Sequence, residues 1–326
     1  MLRVEQKQPK QAQTQPAASP LNGLNKHRRF NRAVANCLYS DPLTRDTGQA
    51  IANCSQRLTL RFGLKGEELS EPQLVSGQLC NRRLCPFCEW RRTRIWRARL
   101  IQGLESYSEF QPKMSALFLT LTLKNCQLYE LRETIGHLHR SFKRLTLIQG
   151  FPTSAWFRRT EVSLGKSFGN SGPLFTPQAH PHIHALLLVR PSYWTRGYWS
   201  QLKWQREWQM AARLDYSPVV DIRRAHSRPS PDRPERMNAN LAATLEAAKY
   251  STKAADLVGL GNNLPCFNTE MKNLRLYGVS AQLRHHIKSG DIRPGELLEP
   301  TKESDESSFT AVAKWFDAIQ EYQFVL

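Results

Sequence analysis

His180-Pro181-His182-Ile183-His184 runs directly into Ala185-Leu186-Leu187-Leu188-Val189. The unbroken apolar half has the length of a strand and must be buried on both faces. A second run, Leu117-Phe118-Leu119-Thr120-Leu121-Thr122-Leu123, has the composition of its partner strand. Side chains alternate along a strand, so His182 and His184 point to the same side. Two imidazoles placed in this way can grip one divalent metal.

The rest of the chain is organised around these strands. A helix is expected at about 128 to 147, where Leu128, Leu131, Ile135, Leu138, Phe142 and Leu145 recur at spacings of three or four. Trp156 to Ser163 reads as a strand, and Gly165 to Pro177, rich in Gly, Ser and Pro, as a loop. Trp199 to Leu214 reads as a second helix, with Trp199, Trp204 and Trp208 as its core and rim, and Pro218 to Arg223 as a fourth strand. The order β-α-β-β-α-β predicts an α+β fold of the ferredoxin-like kind, an antiparallel sheet with helices on one face. A helix over about 239 to 257 would follow.

Outside that core, residues 1 to 25 have the composition of a disordered tail. Residues 26 to 110 form a basic, cysteine-rich region and 111 to 258 the candidate catalytic domain. Residues 259 to 326 form a C-terminal region, with a terminal helix expected over Phe309 to Tyr322.

Lys and Arg outnumber Asp and Glu by 46 to 28, a formal net charge of +18. That excess points to a polyanionic partner, nucleic acid above all. No stretch is long and apolar enough to suggest a membrane span, and the N-terminus lacks an apolar signal core. Seven cysteines without such a signal favour a reducing, cytoplasmic setting.

Four of those cysteines suggest a zinc site. Cys80, Cys85 and Cys88 lie in Cys-Asn-Arg-Arg-Leu-Cys-Pro-Phe-Cys, whose last four residues form a common zinc knuckle. Cys54 is the first choice for the fourth thiolate, with Cys37 as the alternative. Arg91, Arg92, Arg94, Arg97 and Arg99 follow on a basic helix, interleaved with Trp90 and Trp96. The arginines suit phosphate contact. The tryptophans suit either base stacking or the buried side of the helix.

Glu161, on the strand before the histidines, is either a third, harder ligand for Mg²⁺ or Mn²⁺ or a solvent-facing strand residue. His180 precedes a proline at the strand entrance and suits a DNA contact or a supporting role better than direct ligation. On a continuous helix Glu246, Tyr250, Lys253 and Leu257 would form one stripe. Tyr250 is then a candidate nucleophile, Lys253 a stabiliser of phenolate or phosphate charge, and Glu246 a base one turn away.

Phe118-Leu119-Thr120-Leu121-Thr122, His180-Pro181-His182-Ile183-His184 and Tyr250-Ser251-Thr252-Lys253, in this order, resemble the three motifs of plasmid rolling-circle replication initiators of the HUH endonuclease superfamily. The resemblance spans roughly residues 75 to 258. It implies a bacterial, plasmid-encoded enzyme of the single-tyrosine type. Tyr250 would nick one strand at the origin and become linked to its 5′ phosphate, while His182 and His184 hold the metal. It also implies that Glu246 helps a water to end the reaction. Origin DNA is the implied partner, and a host helicase and single-strand-binding protein are the others such a cycle calls for. A relaxase or transposase of the same superfamily, or a zinc-containing DNA-binding regulator without catalysis, are the competing expectations.

Overall fold

The computed structural model describes residues 21–65, 68–69, 72–164, 177–224, 252–287 and 308–325. Helices α1 (Asn22–Tyr39) and α2 (Arg45–Ala52) lead into strands β1 (Arg57–Phe62), β2 (Leu64–Lys65), β3 (Glu68–Leu69) and β4 (Gln73–Gly77). The long helix α3 (Pro86–Phe110) connects these to β5 (Ser115–Thr122) and β6 (Cys126–Gln127). Next come α4 (Leu131–Thr146), β7 (Ala155–Leu164), β8 (Gln178–Val189), α5 (Gln201–Ala212) and β9 (Val220–Arg224). Three short helices surround β10 (Tyr277–Val279), and β11 (Phe309–Phe316) and β12 (Glu321–Val325) end the described chain.

The central sheet has the order β10-β7-β8-β5-β9, with β6 also paired to β8, and every pairing is antiparallel. Strand β8 lies between β5 and β7, which are joined through α4. Strand β5 lies between β8 and β9, which are joined through α5. This double interleaving is the expected split βαβ topology. The reason lies in the alternation. Leu117, Leu119 and Leu121 of β5, with Ile183, Ala185 and Leu187 of β8, face Leu138, Phe142 and Leu145 of α4 and Trp204 and Trp208 of α5. Trp199, just before α5, and Trp204 and Trp208 within it are core residues, the last two fully buried.

The opposite face is also covered, which the expectation of helices on one face did not include. Phe118, Leu186, Leu188 and Phe157 belong to a larger core that takes in α1, α3 and the β1 region. Trp96 of α3 stacks on Tyr277 at 4.6 Å and packs against Phe157 at 5.8 Å. With both faces buried, β5 and β8 need apolar residues at consecutive positions, and this produces their unbroken runs.

Three sequence expectations are corrected. Of the stretch expected as tail, residues 1 to 20 lie outside the described residues, but residues 21 to 25 are ordered structure: α1 starts at Asn22, and Leu21, Leu24 and Asn25 are buried. The terminal helix is a hairpin: β11 and β12 pair with each other, and β11 pairs with β1 in the sheet β12-β11-β1-β4. Ala313, Trp315 and Tyr322 are buried while Lys314, Phe316 and Glu321 are exposed, a two-residue alternation that suits a strand. Of the helix expected over about 239 to 257, residues 239 to 251 lie outside the described residues, and the described part is a helix over Ala254–Gly259 with Lys253 at its cap. Lys253 is extended (φ −70°, ψ 141°) and exposed. An extended residue is not part of a helix, so Lys253 does not share a helical stripe with Leu257.

Candidate metal centre and nucleic-acid site

Register brings the first site together. Glu161 of β7 is paired with His182 of β8, and Thr122 and Thr120 of β5 are paired with His182 and His184. Directly opposed strand residues share a face, so the two imidazoles and the carboxylate converge. Glu161 Oε2 lies 3.1 Å from His184 Nε2 and 3.8 Å from His182 Nε2. The three donor atoms all fall within 4.8 Å of one another. Glu161 is therefore no solvent-facing strand residue.

The hydrogen bonds around the trio set its chemistry. His182 Nδ1 lies 3.1 Å from the carbonyl oxygen of His180, which can only accept, so Nδ1 carries the proton. His182 Nε2 is left with its lone pair directed toward the cluster. Burial first, and then neighbouring His184, lowers its pKa to about 4, which keeps the ring neutral near pH 7. His184 Nδ1 is bonded to the Thr120 hydroxyl at 3.1 Å, and its ring stacks on Phe118. Burial opposes ionisation of Glu161, but the hydrogen bond to His184 and the fields of His182, His184 and Arg159 hold its pKa below the usual carboxylate value. A lone pair facing a carboxylate is a mismatch that a cation between them resolves. Two imidazole nitrogens and one carboxylate oxygen fit Mg²⁺ or Mn²⁺ with coordination positions left for water or phosphate.

His180 stands outside the trio. Its Nδ1 is bonded to Asn125 Oδ1 at 2.8 Å at the mouth of the site, and its backbone carbonyl orients His182. This is the supporting role expected of it. Thr120 and Asn125 were not singled out as site residues by sequence reasoning. Strand alternation places Thr120 on the histidine face, but nothing local marks Asn125, whose partner is 55 residues away.

The second cluster is Cys54, Cys80, Cys85 and Cys88, whose sulfurs also lie within 4.8 Å of one another. Cys54 Sγ is 3.5 Å and Cys80 Sγ 3.8 Å from Cys88 Sγ. Cys54 follows α2, Cys80 follows β4, and Asn81 turns the chain through a left-handed conformation (φ 54°) towards Cys85 at the cap of α3. Pro86 fills the first helical position, where a missing N–H does no harm. Hydrogen bonds from Cys54 and the other thiols draw the Cys80 thiol well below its usual pKa, as suits a thiolate ligand. Cys37 is not the fourth member: its thiol points to the carbonyl of Val258. Four thiols in this arrangement fit a closed, tetrahedral structural zinc site.

The arginines of α3 are half-buried. Arg92 pairs with Glu89 at 3.0 Å, and Arg94 lies over the Trp90 ring at 5.5 Å. Trp96 is committed to Tyr277 and Trp90 to Phe87 and His27. Both tryptophans are thus on the buried side of the helix and offer no free stacking platform. Tyr250 and Glu246 lie outside the described residues.

A family model described as "Replication protein" matches residues 71–323. A "Protein rep" of Lactiplantibacillus plantarum is 30% identical over 292 residues, covering 83% of this chain and 86% of that protein. One of Streptococcus pneumoniae serotype 2 is 32% identical over 284 residues, covering 82% and 81%. One of Bacillus amyloliquefaciens is 27% identical over 298 residues, covering 84% of each. No solved structure matches the chain significantly.

Proposed function

The chain belongs to the replication protein family, and from that premise we propose that it initiates rolling-circle replication of a plasmid by nicking one strand at the origin. The observation that carries this reading is the Glu161, His182 and His184 trio, with both Nε2 atoms close to one carboxylate oxygen. When bound there, Mg²⁺ or Mn²⁺ supplies Lewis-acid stabilisation of a non-bridging phosphate oxygen.

The chain's own residues do the rest. Tyr250 Oη attacks phosphorus and gives up its proton; the bond from phosphorus to the 3′ oxygen breaks. The strand leaves with a free 3′ hydroxyl, and its 5′ phosphate stays on the tyrosine. Lys253, exposed just before the helix that starts at Ala254, offers positive charge to the phenolate or the phosphate. The 5′-phosphotyrosine retains the energy of the broken bond, so the strand can be rejoined at termination. Glu246 serves as the base that activates water to end the round. Arg91, Arg92, Arg94 and Arg97 contact the DNA backbone, and Cys54, Cys80, Cys85 and Cys88 hold a zinc ion that fixes the start of α3.

The test is to incubate the purified protein with supercoiled DNA carrying its replicon's origin, with Mn²⁺, and to look for a protease-sensitive protein–DNA adduct. Wild type should nick and form the adduct. Tyr250→Phe should bind the same DNA with similar affinity and reduce nicking by at least 10³-fold, on the order expected for loss of a nucleophile. Nicking by the variant at the wild-type rate would remove Tyr250 from the mechanism. Binding without any nicking by the wild type would favour a regulator.

A further inference from the structure

The two candidate metal sites are joined by a buried ion pair. Cys85 and Cys88 belong to the first turn of α3, and Glu89 follows them, its backbone N–H donating to the Cys85 carbonyl at 2.9 Å. Glu89 is 6% exposed, and its carboxylate accepts from Arg159 Nη2 at 2.8 Å and from Arg92 Nη1 at 3.0 Å. Arg159 is 1% exposed and sits on β7, paired with His184 and two residues before Glu161. Side chains two apart on a strand share a face, so Arg159 flanks the ligand trio on the side from which α3 approaches. Its guanidinium lies over the Tyr277 ring at 4.9 Å, and neither Nε nor Nη1 has a hydrogen-bond partner among the described residues.

Glu89 is the hydrogen-bonded partner of this buried guanidinium, whose charge also acts on Glu161, and Glu89 stands one residue after Cys88 with its N–H on the Cys85 carbonyl.

We propose that Glu89 and Arg159 are positioning residues that couple the cysteine cluster to the Glu161–His182–His184 centre, so that filling the first improves divalent-cation binding at the second. The proposal rests on the metal-binding reading of both clusters. A zinc ion closing the four thiols holds the start of α3, and with it Glu89. Glu89 holds Arg159 against β7, and this fixes the part of the strand from which Glu161 projects. Outer partners of this kind commonly alter metal affinity about 10- to 100-fold when removed.

The experiment titrates Mn²⁺ into the full-length, zinc-loaded protein and reads free Mn²⁺ by electron paramagnetic resonance, without DNA and without turnover. Glu89→Gln should weaken Mn²⁺ binding about tenfold while the protein stays folded by circular dichroism. Arg159→Lys, which keeps the charge but loses the planar fork, should lie between that variant and wild type. Tyr107→Leu, which disturbs the contact of α3 with His286 at the far end of the helix from Glu89, should bind Mn²⁺ like wild type. Removing zinc should weaken Mn²⁺ binding in wild type but add little in Glu89→Gln, as coupled sites require.

Wild-type affinity in Glu89→Gln, or equal loss in Tyr107→Leu, would overturn the coupling. Should Glu89→Gln fail to fold, the comparison of zinc-loaded with zinc-free wild type decides, and identical Mn²⁺ binding overturns the coupling. A wild type that binds no Mn²⁺ at all would instead sink the metal-centre reading itself.

Discussion

His182 owes its reactivity to a carbonyl two residues away. By accepting from Nδ1, the His180 carbonyl leaves Nε2 as the basic atom, and burial keeps it unprotonated. Two further histidines are treated alike. Burial, with Lys26 and Arg94 nearby, lowers the pKa of His27 to about 4, and burial, with Arg158 nearby, lowers that of His139 to about 3. In all three the folded pKa lies below the unfolded value of about 6.5. The unfolded chain therefore binds more protons, and stability must rise with pH. The contribution is complete above about pH 6.5 and is lost as pH falls to 4 and then 3. Each histidine can contribute up to about 1.4 kcal/mol per pH unit in that window. Melting temperatures measured without added divalent metal should fall steadily between pH 6.5 and 4, and His139→Gln should flatten the slope. A melting temperature constant over that range would refute the assignment. The two histidines were legible in the sequence because strand alternation alone puts them on one face, whereas Glu161 stood open between ligand and solvent-facing residue, because only the pairing register sets it opposite His182. Arg159 was not, because its partner Glu89 lies 70 residues away on a helix whose landing site no local pattern encodes.

At the level of elements, α3 depends on its own first turn. Cys85 caps it and Cys88 lies within it, so the cluster decides how the helix leaves the N-terminal region. Cys85→Ser with Cys88→Ser should abolish zinc in the purified protein, measured by elemental analysis, and lower the melting temperature by several degrees, since ligand binding energy here is folding energy. Absence of zinc from freshly purified wild type would rule out the site. The strands of the central sheet could be read from composition because both of their faces are buried. The final hairpin could not. Its Ala, Lys, Glu and Gln content favours a helix, and what overrides that preference is pairing with β1, where Ala313 meets Leu58 and Ala311 meets Leu60. Arg29 and Arg32 of α1, paired with Glu321 and Asp317, hold the hairpin from outside. The extended Lys253 escaped for a similar reason: helical periodicity in a sequence does not mark a single extended residue.

For the whole molecule the governing quantity is charge. A surplus of +18 makes binding to DNA a counterion-release process, and affinity should fall steeply as salt rises. Origin binding followed by fluorescence anisotropy from 50 to 200 mM NaCl, on the order of the range over which such complexes weaken by 10³ or more, should give a linear log–log plot. Replacing Arg91 and Arg94 by alanine should reduce its slope by about 1 to 2. An unchanged slope would remove these arginines from the DNA interface. Among the described residues no helix is long and apolar enough to cross a membrane.

The β1 sheet also imposes an order in time. Tyr322 donates its hydroxyl to the Ser55 carbonyl across 267 residues, and its backbone N–H donates to Asn25 across 297. A ribosome working at about 5 to 20 residues per second needs on the order of 10 to 50 s to cover that distance. For about the later half of that interval the nascent chain has already made its histidine strand while one edge of β1 stands unpaired, a template for the wrong neighbour. Synthesis that stalls between β8 and β11 thus leaves a chain with its metal ligands made and the sheet around β1 unclosed. Residues made late seal a sheet begun early.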